Sequence, residues 1–170
     1  VVVVGHVDHG KTTLLDYVRK TTVAAREAGG ITQSTGAYEI EHPSTSSGQV
    51  RKITFIDTPG HEAFTKMRSR GAEVADLAIL AVAADEGVKP QTKDAAKILQ
   101  DSKPPFKVAI TKIEKPGADI NKVKNELTAA GVLLEGFGGQ ISFHGVSSKT
   151  GEGINDLLDL ILLATDVENL

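Results

Sequence analysis

The sequence of 170 residues contains no cysteine, so it can form neither a disulfide nor a thiolate metal site. Its formal net charge is −3, which excludes the overall basic surface that nucleic-acid-binding domains present. No apolar run is long enough to cross a bilayer, and we expect no membrane partner. The chain begins with Val1 inside an apolar run, which predicts that residues 1–170 are a single domain cut from a longer, multidomain protein. The missing targeting signals therefore say nothing about the compartment.

A glycine loop with the spacing G-x-x-x-x-G-K-[ST] runs from Gly5 to Thr12. An apolar run precedes it and a helical pattern follows it, which is the context that a phosphate-binding loop requires and that disfavours an ordinary glycine turn. Gly5 and Gly10 allow the backbone to curl, so that successive N–H groups point at phosphate oxygens. Lys11 brings a positive charge to the phosphates, and the Thr12 hydroxyl can ligate Mg²⁺. The loop predicts binding of a nucleoside polyphosphate with magnesium.

Short apolar runs rich in β-branched residues alternate with helical patterns along the chain. This alternation predicts an α/β fold of the three-layer P-loop NTPase type, with a mostly parallel sheet of about six strands and helices on both faces. Tyr38–Glu41 and Val50–Phe55 flank a short turn, which predicts one antiparallel edge strand. Thr21–Gly36 has no apolar period and is expected to be a mobile loop. The expected strands are Val1–Val4, Ile53–Ile56, Leu77–Val82, Phe106–Ile110 and Ile141–Val146, and the expected helices are Lys11–Lys20, His61–Glu73, Gln91–Gln100, Ile120–Ala130 and Ile154–Ala164.

Candidate metal ligands follow the second strand and lie in the expected loop. Because parallel sheets place ligands at the carboxyl ends of their strands, we expect Asp57 beside the glycine loop, where it can hold Mg²⁺ through a water. A helix cap is the alternative for Asp57. Thr32 can complete the Mg²⁺ shell when a γ-phosphate is present, or it is a plain loop threonine. His6 and His9 lack further ligands nearby, which disfavours a zinc site.

Three stretches of the sequence resemble the translational GTPases, and they are most similar to the G domain of the bacterial and organellar translation initiation factor two family. They are Gly5–Leu15, Gly29–Gln33 and Ile53–His61, and the segments 64–71, 81–88 and 90–92 sharpen the match. The resemblance implies binding and hydrolysis of GTP to GDP with Mg²⁺. It implies the ribosomal subunits as partners, and initiator tRNA as a partner of domains absent here. The chain is expected to be a monomer.

The resemblance also implies roles for individual residues. His61 matches the catalytic histidine that positions the attacking water, although an exposed helix-start histidine is the alternative. Val7 and Ile31 match an apolar pair that gates this histidine. Asp8 matches a loop acid that helps to hold a monovalent cation or orients the histidine on the ribosome. The expected catalytic residues are His61, Lys11 and Asp8, the expected phosphate-binding residues are Val7, Asp8, His9, Gly10, Lys11, Thr12, Thr13 and Gly60, and the expected metal ligands are Thr12, Thr32 and Asp57.

The base-reading loop departs from the Asn-Lys-x-Asp pattern of this family, because the chain has Thr111-Lys112-Ile113-Glu114 there. Lys112 can lie over the base, and Glu114 keeps a carboxylate for guanine N1–H and N2–H₂, one methylene further out. Thr111 cannot reproduce the two-ended amide of Asn. Each weakened hydrogen bond costs about 0.5–1.5 kcal/mol, so affinity is expected to fall roughly ten- to a hundredfold. Ser147-Ser148-Lys149 matches the family's Ser-Ala-Lys loop, whose backbone N–H meets guanine O6; a serine-rich helix lead-in is the alternative.

Three functions are open from the sequence. The first is a GTPase switch domain that serves the initiation of translation on the ribosome. The second, which the altered base-reading loop motivates, is a guanine-nucleotide-sensing module with little hydrolysis. The third is an ATPase or small-molecule kinase on the same loop, which predicts competition by ATP. The altered base-reading loop favours an organelle-type parent protein. The expected compartment is the mitochondrial matrix or the bacterial cytoplasm.

Overall fold

The computed structural model describes residues 1–5, 14, 16–18, 26–27, 37–44, 48–57, 76–101 and 105–167. The helices with defined bounds in this part of the chain are α1 Pro90–Asp101, α2 Ile120–Ala129 and α3 Ile154–Val167, and residues 14 and 16–18 are also helical. The strands in the same part are β1 Val2–Gly5, β2 Arg26–Glu27, β3 Ala37–Pro43, β4 Val50–Asp57, β5 Ala78–Ala83, β6 Phe106–Thr111 and β7 Phe143–Gly145. They form one sheet in the order β2-β3-β4-β1-β5-β6-β7.

The centre of the sheet is parallel and is covered on both faces. β1 pairs in parallel with β4 and β5, and β6 pairs in parallel with β5 and β7. Alternate residues of these strands enter two cores: Val3 and Ile79 pack with α3, whereas Val4 and Leu80 pack with α1 and α2. Burial of both faces explains why the central strands β1 and β5 are continuously apolar in the sequence. The predicted α/β fold class, with helices on both faces of a mostly parallel sheet, is confirmed.

The predicted antiparallel hairpin is present, but its position in the sheet differs from the prediction. β3 and β4 pair antiparallel from Ala37↔Ile56 to Pro43↔Val50. β2 pairs antiparallel with β3, so β3 lies one strand in from the edge and the sheet has seven strands in the described residues rather than about six. β2 falls within Thr21–Gly36, which was expected to be a loop. β2 has two residues and is defined by its backbone pairing with β3, so it is too short to show an apolar period.

Several boundaries differ from the sequence predictions by a few residues. β7 is shorter than the apolar run 141–146, and α3 extends to Val167, three residues beyond its predicted end. The predicted helix His61–Glu73 lies outside the described residues. No helix within the described ranges has the length and apolar character needed to cross a membrane.

The β3–β4 hairpin rests on α3. Its inward side chains Ile40, Ile53 and Phe55 belong to the same core as the apolar face of α3. His42 Nε2 lies 2.8 Å from Asp159 Oδ1, and Arg51 forms an ion pair with Asp166 at the end of the helix. The hairpin is therefore held to α3 by one apolar face and two polar pairs.

Candidate nucleotide-binding site

The carboxyl ends of the parallel strands meet at one edge of the sheet, as the topology requires. β1 ends at Gly5, the first glycine of the predicted phosphate-binding loop, and Gly5 is level with Ala81 of β5. β4 ends at Asp57, whose backbone is level with Val3. The helical residues 14 and 16–18 follow the glycine loop in the chain. The structure thus brings the end of β1 and the end of β4 to neighbouring positions on this edge.

The predicted phosphate, catalytic and metal residues of the two loops lie outside the described residues. For Asp57 the structure describes the backbone alone. Among the described residues, no group of three or more His, Asp or Glu side chains is arranged to hold a metal ion. The sequence predictions that fall outside concern His6, Val7, Asp8, His9, Gly10, Lys11, Thr12, Thr13, Ile31, Thr32, Gly60 and His61.

The base-reading loop is described throughout, and it begins with a sharp turn. Thr111, the last residue of β6, is buried, and its carbonyl oxygen accepts a hydrogen bond of 2.8 Å from the Ala84 N–H at the end of β5. Lys112 follows with a φ of 59°, and within the described residues it is the one non-glycine residue in the left-handed region. That conformation costs an L-residue about 1–2 kcal/mol. The Lys115 N–H donates to the Lys112 carbonyl oxygen at 3.1 Å, which closes the turn.

Two carboxylate oxygens near this turn are buried without a hydrogen-bond donor among the described residues: Glu114 Oε2 and Asp85 Oδ1. The other oxygen of Asp85 lies 3.8 Å from Lys115 Nζ. A buried acceptor without a donor costs about 1–3 kcal/mol, and more when it is charged. A bound molecule that brings N–H groups to Glu114 would remove this cost. Sequence reasoning did not single out Asp85, although an acidic residue directly after a fully buried strand was a usable signal.

The serine loop between β7 and α3 presents backbone donors. Ser147 is buried, its Oγ accepts from the Thr150 N–H at 3.1 Å, and its carbonyl oxygen accepts from the Gly151 N–H at 2.8 Å. Within the described residues, the N–H groups of Ser148 and Lys149 donate to no acceptor. The Ile113 N–H donates to the Val146 carbonyl oxygen at 3.4 Å, which joins this loop to the base-reading loop. This hydrogen bond therefore ties the loop with the two free backbone donors to the loop with the unpaired carboxylate.

This set of groups is complementary to one edge of guanine. Guanine O6 accepts hydrogen bonds, as the Ser148 and Lys149 N–H groups require, and its N1–H and N2–H₂ donate, as Glu114 Oε2 requires. Adenine presents an amino donor and an N1 lone pair at the same places, which would face the loop donors and the carboxylate with the wrong polarity. The residues present fit a guanine base better than an adenine base.

Comparison with known proteins gives a family model and a solved structure whose descriptions name a guanine nucleotide. The family model described as "Elongation factor Tu GTP binding domain" matches residues 1–166. Over all 170 residues the chain is 54% identical to the chloroplastic translation initiation factor IF-2 of Euglena gracilis and to translation initiation factor IF-2 of Deinococcus radiodurans. It spans 21% of the length of the first of these relatives and 28% of the second.

Two solved structures share the fold. GDP-bound aIF5B from Aeropyrum pernix superposes with a TM-score of 0.74 at 37% identity, over 98% of this chain and 36% of that chain. Elongation factor SelB from Methanococcus maripaludis, in complex with the GTP analogue GppNHp, superposes with a TM-score of 0.64 at 28% identity, over 97% of this chain and 33% of that chain. Both of these neighbours were solved with a guanine nucleotide or its analogue bound.

Proposed function

The chain belongs to the elongation factor Tu GTP-binding domain family, and from this premise we propose that residues 1–170 form the single GTP-binding and GTP-hydrolysing switch domain of an IF-2-type translation initiation factor. The nucleotide assignment rests on the presence of both kinds of group in these two loops. Glu114 Oε2 is a buried acceptor without a donor, and the N–H groups of Ser148 and Lys149 have no acceptor among the described residues. The initiation role is supported by 54% identity to IF-2 proteins over the whole chain.

The phosphate end of the site supplies binding and orientation. The amides of residues 7–13, with Lys11, surround the phosphate oxygens and stabilise the charge that develops in the transition state. Thr12 and Thr32 would hold Mg²⁺ directly and Asp57 through a water, and the ion when bound neutralises charge on the β- and γ-phosphates. The Gly60 N–H donates to the γ-phosphate.

Hydrolysis proceeds by in-line attack of a water that His61 positions. The water oxygen bonds to the γ-phosphorus as the bond from that phosphorus to the β–γ bridging oxygen breaks. One water proton stays on the phosphate and the other passes to solvent, so the products are GDP, HPO₄²⁻ and H⁺. Val7 and Ile31 control access of His61 to the water. Asp8 orients His61 or helps to hold a monovalent cation.

The partners follow from the relatives. We propose that the domain acts as a monomer on the ribosomal subunits, that the ribosome stimulates its hydrolysis, and that initiator tRNA is bound by other parts of such a factor. The relatives named above are bacterial and chloroplastic, which supports the bacterial cytoplasm or an organelle as the compartment. The mitochondrial matrix stays a prediction.

A competition experiment tests the nucleotide assignment. Fluorescent GDP is bound to the chain in the presence of Mg²⁺ and is displaced with GTP, ATP or XTP. We expect displacement by GTP at concentrations at least a hundredfold lower than by ATP, because Glu114 repels the adenine N1 lone pair. Equal displacement by ATP would favour the ATPase or kinase alternative.

The base-reading loop also supports a second candidate, a guanine-nucleotide sensor with little hydrolysis. Thr111 and Glu114 stand where the family has Asn and Asp, and weaker base binding speeds nucleotide dissociation, so that GTP can leave before it is hydrolysed. Ribosome-stimulated phosphate release separates the two candidates, since a sensor binds GTP without releasing phosphate.

A further inference from the structure

Tyr17 and Gly151 are in direct contact, although they lie far apart in the sequence. Tyr17 lies on the helix that follows the glycine loop, and Gly151 closes the turn that begins at Ser147. A Cβ placed on Gly151 would lie 2.1 Å from Tyr17 Oη and 2.9 Å from its Cζ. Gly151 also has a φ of +85°, which side chains rarely adopt. Position 151 therefore requires glycine for two reasons, and the phenol of Tyr17 occupies the space that any side chain there would need.

The turn that Tyr17 touches is internally bonded and behaves as one unit. The Ser147 carbonyl oxygen accepts from the Gly151 N–H at 2.8 Å, and the Ser147 Oγ accepts from the Thr150 N–H at 3.1 Å. The Ser147 N–H donates to the Glu152 carbonyl oxygen at 2.9 Å. A displacement of Gly151 would therefore also move Ser148 and Lys149, which lie inside this hydrogen-bonded turn. The direction of their free N–H groups depends on where the turn sits.

Tyr17 itself is held firmly. Its half-buried ring packs against the core that contains Leu14 and Val18 of its own helix and Val146, the residue directly before the serine loop. The ring is thus supported by the helix on the phosphate side and by the strand end on the base side. Tyr17 thus lies between the helix that follows the glycine loop and the Ser147–Glu152 turn.

We propose that Tyr17 is a positioning residue for base recognition, which holds the Ser147–Glu152 turn so that the N–H groups of Ser148 and Lys149 meet the oxygen at position 6 of a purine. The inference rests on the proposed function and adds to it a residue that sets the preference for a 6-oxo purine. Glu114 reads the other part of the base edge, so the two contributions can be separated with nucleotide analogues.

Two analogues of GDP report the two contributions. 6-Thio-GDP keeps N1–H and N2–H₂ but replaces O6 with sulfur, a weaker acceptor, so the preference for GDP over 6-thio-GDP reports the turn. IDP keeps O6 and N1–H but lacks the 2-amino group, so the preference for GDP over IDP reports Glu114. Hydrogen bonds of this kind are worth roughly two- to tenfold in affinity.

The experiment measures both preferences by calorimetry with Mg²⁺ on the full chain and on Tyr17→Leu, Tyr17→Phe and Leu158→Ala. Leu158 lies on α3 in the same core, outside the Ser147–Glu152 turn, and its variant is the control for a loosened core. In Tyr17→Leu we expect the preference for GDP over 6-thio-GDP to fall roughly two- to tenfold, towards unity, with the preference over IDP unchanged. Tyr17→Phe keeps the ring beside Gly151 but removes Oη, the nearest atom, so it should lose part of the preference and less than Tyr17→Leu, and Leu158→Ala should change neither ratio.

Gly151→Ala is the second variant, in case Tyr17→Leu fails to fold. Its Cβ would displace the turn, so it should lose the same preference over 6-thio-GDP. Equal weakening of GDP, 6-thio-GDP and IDP in the Tyr17 and Gly151 variants would overturn the positioning role and leave Tyr17 as core packing alone. If the unmodified chain binds no guanine nucleotide, the proposed function itself fails, and that result is seen before any variant is compared.

Discussion

The two sides of the sheet differ in the contacts that hold them in place. Backbone hydrogen bonds join the strands and loops of the base side, whereas the hairpin side also packs its side chains on α3. On the base side, β5 and β6 pair at every position from Ala78↔Phe106 to Ala83↔Thr111, and hydrogen bonds join the loops that follow. On the hairpin side, β4 pairs with β1 at Val2 and Val3 within the described residues, the Val1 amino group donates to the Thr54 carbonyl oxygen at 2.8 Å, and side chains join the hairpin to α3. The loops that would contact the base are therefore joined to β5 and β6 and to one another by backbone hydrogen bonds. The hairpin, whose strand β4 ends at Asp57, adds side-chain packing and polar pairs with α3 to its backbone pairing with β1.

The largest expected effect separates rate from affinity. His61→Ala, in a full-length factor that carries this domain, should reduce ribosome-stimulated phosphate release by about 10²–10⁴-fold, the range typical of a residue that orients or activates a reacting water. GDP affinity should stay within about twofold, because no base contact is changed. Phosphate release is followed with a phosphate sensor after mixing with ribosomes. Unchanged stimulated turnover would refute the catalytic role.

On the base side, Glu114→Ala should reduce GDP affinity about ten- to a hundredfold, because guanine N1–H and N2–H₂ lose their acceptor. ATP binding, already weak, should not weaken further. Asp101→Ala removes an exposed carboxylate at the end of α1 and is the matched control for the loss of one negative charge. Calorimetry measures all three proteins, and equal GDP affinity in the Glu114 variant and the control would contradict this reading of the base site.

Restoring the family's loop should strengthen binding. The double variant Thr111→Asn with Glu114→Asp re-creates Asn-Lys-x-Asp and should raise GDP affinity about tenfold, since it restores one or two hydrogen bonds. Thr111 is buried, so the single Thr111→Asn variant is made as well, with its unfolding free energy, to detect strain. A fall in affinity despite normal stability would mean that the surrounding loop has adapted to Thr and Glu.

The smallest expected effect concerns two His–Asp pairs on α3, one with the hairpin and one with β7, which differ in burial. Asp159 meets the buried His42 at 2.8 Å, whereas Asp156 meets His144 at 3.5 Å and is 70% exposed. Asp159→Ala should lower the free energy of unfolding by about 1 kcal/mol and Asp156→Ala by less than about 0.5 kcal/mol, as urea denaturation measures. GDP affinity should be unchanged in both; a loss in Asp159→Ala would show that the hairpin and the base side are not independent.

Apolar periodicity was enough to predict the elements that bury large faces. The runs that became β5 and β6 and the stripe of α3 were located to within a few residues, because burial on both sides leaves a strong pattern. β2 could not be predicted, since its two residues are held by backbone pairing with β3. A strand of two residues is too short to leave an apolar pattern of its own.

The candidate site divides in the same way. Glu114 and Ser147–Lys149 were singled out from the sequence because they match the positions of the base-reading loops in the translational GTPases, and their roles stay predictions. The contact between Tyr17 and Gly151 depends on how closely a helix approaches a turn, and no local pattern encodes that distance. Asp85 lay between these cases: its place after a buried strand was visible, but its unpaired oxygen is a property of the packed structure.

The most direct test of the base-recognition account is the base preference of Glu114→Gln. Gln places an amide donor where Glu114 has an acceptor, and xanthine has a carbonyl oxygen at position 2 where guanine has an amino group. Calorimetry with Mg²⁺ compares GDP and XDP on the unmodified chain and on the variant. The account predicts that the chain prefers GDP and that Glu114→Gln prefers XDP. A variant that keeps the original preference for GDP would contradict it.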